Sequence, residues 1–375
     1  MSSTSAPGPA APTRHARSTG SRDPFFDNAK LLLVMLVVIG HAWVLMPNAP
    51  SHFPAYTFLY AWHVPAFVIV TGYLSRSFRL TRSHVRRLMT TVAAPYLVFE
   101  ALLALFRVVV GGESLGSDPL FLNPHWPMWY LAVLFLWRLA TPLLLRVPQP
   151  MIVAVGISLL GGLIESSVLD VSRASGLLPF FVLGLTATRD QFDWLARPRV
   201  RVVAATALGL AFVVAVLVSE PLSNEWLYWR SSYDAMGVPL WQGLAGRLGM
   251  LVVAGLLALS ALALIPRSQR WFTPLGAASL VVYLCHGFFV KGAQYAGVGS
   301  LVSSDEVTAF LLITGTAVLL ALALSASPVA RGLNKLVDPI STATEDTPGV
   351  LQPHHHRVAV EDRMALTHRH PTRQP

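Results

Sequence analysis

Residues Asp27–His41 read DNAKLLLVMLVVIGH, a short polar head followed by an apolar run that closes on Gly40-His41. The run has the length and composition of one leg of a membrane helix. Lys30 and His41 are eleven residues apart. On an α-helix that is about 16 Å of rise, with the two side chains within roughly 20° of one face. One stripe therefore carries a cation at a membrane surface and an imidazole deep in the hydrocarbon. An ionisable group inside a span is costly, and marks a functional site by default.

Similar runs recur along the 375 residues, which are 54% hydrophobic and 13% charged, with a mean hydropathy of +0.55. They specify an all-α, polytopic integral membrane protein of about ten transmembrane helices. The spans are expected to start near Lys30, Thr57, Leu88, Met128, Met151, Gly176, Val202, Trp241, Pro274 and Val307. An even number of spans puts both tails on one side. That side receives 23 of the 28 Lys and Arg residues, so both termini are expected to be cytoplasmic. The net charge of +9 is then topology, and no nucleic-acid partner is expected. A multi-pass protein of the cell (plasma) membrane follows.

Residues 1–21 read as a disordered cytoplasmic tail without a signal-peptide pattern. Residues 22–336 read as the transmembrane domain, and residues 337–375 as a second disordered tail. His354-His355-His356 in that tail lacks acidic partners and ligand spacing, so no metal site is expected. The single cysteine, Cys285, excludes an internal disulfide and a thiolate metal cage. It forms no dyad with His286, because adjacent helical residues point about 100° apart.

Counting at about 1.5 Å per residue across a core of about 30 Å puts His41, His63, Glu100 and His286 at one depth, in the outer half of the bilayer. Four ionisable residues on four spans suggest one polar pocket. Each has a plainer alternative. His63 or His286 alone can simply bond a neighbouring helix, and Glu100 can partner Arg107. His41 differs, because it shares a stripe with Lys30 and follows Gly40, which lets a backbone or a substrate approach. The basic run RSFRLTRSHVRR, Arg76–Arg87, reads equally as a positive-inside loop or as a phosphate clamp of Arg82, Arg86 and Arg87.

Several stretches in order carry a resemblance. Asp27-x-x-Lys30 with His41, the segment Tyr60–Leu74 (YAWHVPAFVIVTGYL), Arg86-Arg87-Leu88 with Pro95-Tyr96, Trp129-Tyr130-Leu131, Leu178–Gly184 and Tyr283-Leu284-Cys285-His286 together resemble integral-membrane acyltransferase family 3. The likeness covers roughly residues 22–330 and is nearest the fucose 4-O-acetylase-like O-acetyltransferase branch. Thr71 stands where the family usually has Ser before Gly in its second span, which keeps the hydroxyl. The R-x-x-R pair that some members carry before the third span has no single counterpart among Arg76, Arg79, Arg82, Arg86 and Arg87.

The resemblance implies transfer of an acyl group, usually acetyl, from acyl-CoA to a hydroxyl of a glycan, lipid-linked sugar or secondary metabolite. Acyl-CoA is then a co-substrate, and no bound cofactor is implied. His41 becomes the catalytic residue, as general base or acyl carrier. Asp27, Lys30, Arg82, Arg86 and Arg87 become the donor site. His63, Glu100, Trp129, Tyr283 and His286 bind the acceptor or tune His41. Trp126 and Trp129 offer faces to a sugar, or simply belong to an interfacial aromatic belt. A different class also fits buried His and Glu residues: a transporter or flippase of a lipid-linked glycan with a proton relay. Against it stands the lack of a visible internal repeat. A fold-retaining regulator without chemistry is a third option, opposed by the intact Lys30/His41 stripe.

Overall fold

The computed structural model describes residues 23–46, 53–116, 119–218, 222–302 and 305–337. Apart from Val337, both expected tails lie outside these residues, as does the His354–His356 cluster. Among the described residues all regular structure is helical. Ten apolar helices follow in order: α1 Pro24–Leu45, α2 Pro54–Ser75, α3 Arg82–Val109, α4 Trp129–Leu144, α5 Pro150–Gly161, α6 Val168–Thr186, α7 Pro198–Val218, α8 Leu240–Leu264, α9 Thr273–Tyr295 and α10 Glu306–Ser325. Eight are long and apolar enough to cross a membrane. The two shorter ones, α4 and α5, rise only about 24 and 18 Å at about 1.5 Å per residue. The protein is a multi-pass membrane protein, and its ten apolar helices fall at the ten expected places.

Local sequence explains the starts and irregularities. Asp23, Thr81 and Asp305 cap α1, α3 and α10 by accepting from the backbone N–H of Phe25, His84 and Thr308. Proline occupies the first turn of α1, α2 and α5, where its missing N–H costs nothing. Inside α2, Pro65 cannot donate to Ala61 and its ring would strike that carbonyl. The helix breaks there, between Tyr60 and His63. In α3 a π-helical turn over Met89–Ala93 absorbs Pro95 in the same way.

The bundle is organised around α1, α2 and α6. In α1 and α6 about 67% of the most apolar window is buried, against 11% in α7, which faces outward beside α8. Helices α2 and α6 cross backbone to backbone. A Cβ on Gly184 would lie 1.9 Å from the Ile69 carbonyl, and one on Gly72 would lie 2.1 Å from the Phe181 carbonyl. Both positions must therefore be glycine, the small-residue contact that membrane helices use in place of a hydrophobic drive.

Helix α6 begins well before Gly176, where the sequence places it. Val171-Ser172-Arg173-Ala174-Ser175 looks like loop by polarity, yet it is helical. Its polar groups are satisfied locally. Arg173 pairs with Asp170, and Ser172 Oγ accepts from Ser166 N at 2.9 Å. The consequence is that Arg173 becomes a helix residue facing the interior of the bundle.

Candidate active site

At the end of the bundle where α1 finishes and α2, α4 and α6 begin lies a cavity of about 360 Å³. Helix α1 lines it with Val34, Val37, His41 and Val44, the i, i+3, i+7, i+10 positions of one stripe. His63, Trp129 and Tyr283 also line it, together with His125, Trp126, Tyr228 and Arg173. Trp126 packs on His41 with ring centroids 4.4 Å apart. Its indole is therefore part of the cavity wall.

The hydrogen bonds of the imidazoles fix their tautomers. His286 Nδ1 lies 2.6 Å from the Tyr283 carbonyl and 3.1 Å from that of Val282. A carbonyl only accepts, so Nδ1 carries the proton and neutral His286 presents a lone pair at Nε2. That Nε2 is 2.8 Å from His41 Nδ1, so His41 donates from Nδ1 and keeps its own lone pair at Nε2. The arrangement is that of a general base held in one tautomer by a second residue. His63 is likewise fixed: Nδ1 donates to the Leu59 carbonyl at 2.7 Å, a group brought into reach at the break before Pro65.

A second cavity, of about 550 Å³, opens at the opposite end, where α1 and α3 begin. Lys30, His84, Arg87, Thr91 and Arg138 line it. Lys30 is 2.7 Å from Asp27, and Arg138 Nε donates to Ser75 Oγ at 3.3 Å. The two cavities share three lining residues, Phe67, Tyr130 and Tyr283. Tyr130 is anchored to Thr71 at 2.5 Å, and Tyr283 donates to the Pro127 carbonyl. These three residues form a wall common to the Lys30 chamber and the His41 chamber.

Some expectations change. Glu100 lines neither cavity, so the four ionisable residues do not share one pocket. Its Oε1 accepts from His125 N at 2.9 Å and holds the loop that carries His125 and Trp126. Arg107 is not its partner, because Arg107 Nε pairs with Glu113 at 2.7 Å. His286 is fully buried, does not line the chamber, and hydrogen-bonds His41 while packing beside the Trp126 and Tyr283 rings. Gly40 does not open space for a substrate: a Cβ there would lie 3.1 Å from the Tyr60 ring, so it admits a neighbouring helix. The three expected donor-site arginines are all exposed, and of them Arg87 lines the cavity while Arg82 and Arg86 do not.

His125, Arg138, Arg173 and Arg230 join the site without having been singled out by sequence. For Arg138 a signal existed, since an arginine in an apolar helix demands a reason. Beside the chamber, outside the spans, His125 and Glu113 have shifted titration. Burial pushes the His125 imidazole down to about 4, so it is neutral at pH 7. The Tyr295 hydroxyl, at 2.6 Å, followed by Arg107 and Lys291, holds the Glu113 carboxyl down to about 2. Glu113 thus stays ionised and ties α3 to α9 at the chamber mouth. Among the described residues no cluster of His, Cys, Asp and Glu suits a metal ion.

Comparison with known proteins gives one match. The family model described as an acyltransferase domain, that of acyltransferase family 3, matches residues 23–326. Searches of curated proteins and of solved structures returned no match.

Proposed function

Because the chain belongs to acyltransferase family 3, and so is a membrane acyltransferase, we propose that it moves an acetyl group from acetyl-CoA to a hydroxyl of a glycan, lipid-linked sugar or secondary metabolite, with His41 as general base. The observation that carries this reading is the His286–His41 pair, which leaves His41 Nε2 with a lone pair in the chamber wall. The acceptor hydroxyl gives its proton to Nε2 as its oxygen attacks the thioester carbonyl. The tetrahedral adduct collapses, the C–S bond breaks, and the departing thiolate takes the proton back from Nε2. His286 accepts from His41 Nδ1 throughout and stabilises the transient imidazolium.

The donor's phosphates lie against Lys30, Arg87 and Arg138, with Asp27 fixing Lys30. Its pantetheine arm passes between Phe67, Tyr130 and Tyr283. In this reading the Lys30 end faces the cytoplasm, as the charge bias requires, and the acceptor enters from outside across the plasma membrane. The transporter and regulator alternatives give way to the transferase that the family implies.

The test is incubation of the purified chain with labelled acetyl-CoA, alongside mass spectrometry of envelope glycans and secreted metabolites from cells with and without the protein. One acetyl mass is expected to vanish with the protein, and acid-quenched enzyme is expected to carry no label. Label trapped on His41 would make it an acyl carrier instead. Unchanged glycans and metabolites, with no consumption of acetyl-CoA, would remove the proposed donor and acceptors.

A further inference from the structure

We propose that the acceptor is an anion, a sugar or polyol that carries a carboxylate or a phosphate, held by Arg173, Arg230 and Lys291. This rests on the reading of the His41 chamber as the acceptor site. Those three cations line the chamber, and among the described residues no Asp or Glu lines it. Their acidic partners stand behind them: Asp170 for Arg173, Glu225 for Arg230 at 3.7 Å, and Glu113 for Lys291 at 3.3 Å. The carboxylates thus fix the cations from outside, and among the described residues the charged groups on the cavity wall are all positive, set among aromatic and aliphatic side chains.

Arg173 is the anchor. Nε donates to the Tyr228 carbonyl at 3.2 Å, Nη1 goes to Asp170, and the guanidinium lies 4.8 Å over the Trp129 ring. Two of its three nitrogens are used, and Nη2 remains to meet a ligand oxygen. A cation held this rigidly in a low-dielectric wall, with the ring faces of Trp126 and Trp129 beside it, suits a ring-shaped ligand bearing one negative group. A neutral sugar offers these donors only hydroxyl and ring oxygens, whereas a carboxylate or phosphate makes charge-assisted hydrogen bonds that are roughly twice as strong. Arg230 is about half exposed at the mouth, where it meets an incoming anion first.

The test measures binding to the full chain in nanodiscs without any donor, read from the fluorescence of the chamber tryptophans. The probes are methyl glucuronide (carboxylate), glucose 6-phosphate (phosphate) and methyl glucoside (neutral). At least one charged sugar is expected to bind about tenfold tighter than the neutral one, a difference of about 1.4 kcal/mol, and to weaken as salt is raised. The tighter of the two identifies the anionic group. In the Arg230→Gln/Lys291→Gln variant the preference is expected to collapse to within about threefold, or about 0.7 kcal/mol. Arg230→Gln alone, at an exposed position, is expected to give a partial loss with unchanged thermal unfolding. Equal binding of charged and neutral sugars, or binding by none of them, overturns the inference. Anion binding without acyl transfer under any condition would instead sink the transferase reading of the chamber and leave the anion site standing.

Discussion

The two chambers hold their polar groups in opposite ways. In the His41 chamber the imidazoles of His41, His63 and His286 are buried, the Nδ1 of each is committed to a named partner, and aromatic rings pack against them. In the Lys30 chamber the cations are long and flexible, and Lys30 keeps 27% of its side chain exposed. The first arrangement suits a proton transfer, which needs a fixed atom and a fixed tautomer. The second suits capture of a multiply charged group, for which several cations of loose geometry suffice. Substitutions in the two chambers are therefore expected to move different kinetic constants.

The largest effect is expected at His41. General-base catalysis contributes about a hundred- to ten-thousand-fold, so His41→Ala should lower kcat by at least the smaller factor. Binding of donor at the Lys30 end should persist, measured as CoA affinity of the purified variant. Near-normal turnover in this variant would erase the distinction between the chambers.

His286→Ala comes next. It removes the acceptor that holds His41 in its tautomer, and loss of such a supporting partner costs about ten- to a hundredfold. Because His286 does not line the chamber and hydrogen-bonds His41, the loss should fall on kcat and shift the pH profile, with acceptor KM unmoved. A rise in acceptor KM alone would make His286 a binding residue.

The third contrast lies between cations that line the Lys30 chamber and neighbours that do not. Lys30→Gln and Arg87→Gln should each raise the donor KM about tenfold, since a charged hydrogen bond is worth about 1.5–3 kcal/mol. Arg82→Gln and Arg86→Gln should change it by less than about twofold, because solvent-facing charges contribute about 0–1 kcal/mol. Equal losses at Arg86 and Arg87 would show that the whole basic run binds the donor.

The smallest effect is expected at the chamber mouth. The Glu113 carboxyl is depressed to about 2, so its contribution is present above the ordinary carboxylate value and is lost only as pH falls through about 2. Lowering the pH from about 7 to about 5, a range above both the ordinary and the folded value, should leave the Glu113-dependent part of thermal stability unchanged. Glu113→Gln should lower stability by about 1 kcal/mol or less. A midpoint for Glu113 near the ordinary carboxylate value, seen as a stability step between wild type and variant, would break this cluster.

Much of the site was legible along the chain, because a helix turns a spacing into a direction. Eleven residues between Lys30 and His41 were enough to put a cation and an imidazole on one stripe that runs from one chamber to the other. Counting rise also matched His286 to the depth of His41, and the two rings touch. The same counting misled at Glu100, because depth fixes height in the membrane but not the face toward which a side chain turns. It missed Arg173, because a polar SRAS segment looks like loop until Asp170 and the Tyr228 carbonyl are seen to satisfy it.

The amino-acid sequence by itself determined an all-helical membrane protein, the order of its ten apolar helices, its family, and the axis from Lys30 to His41. These follow from composition, period and local order, which neighbouring residues carry. Only the tertiary structure decided that His286 fixes the His41 tautomer, that Phe67, Tyr130 and Tyr283 line both chambers, that Arg87 and not Arg86 lines the Lys30 chamber, and that Glu100 holds a loop. Each of these depends on how helices rotate and approach one another. That is set by contacts such as Gly72 and Gly184 against the facing backbone, between residues more than a hundred positions apart.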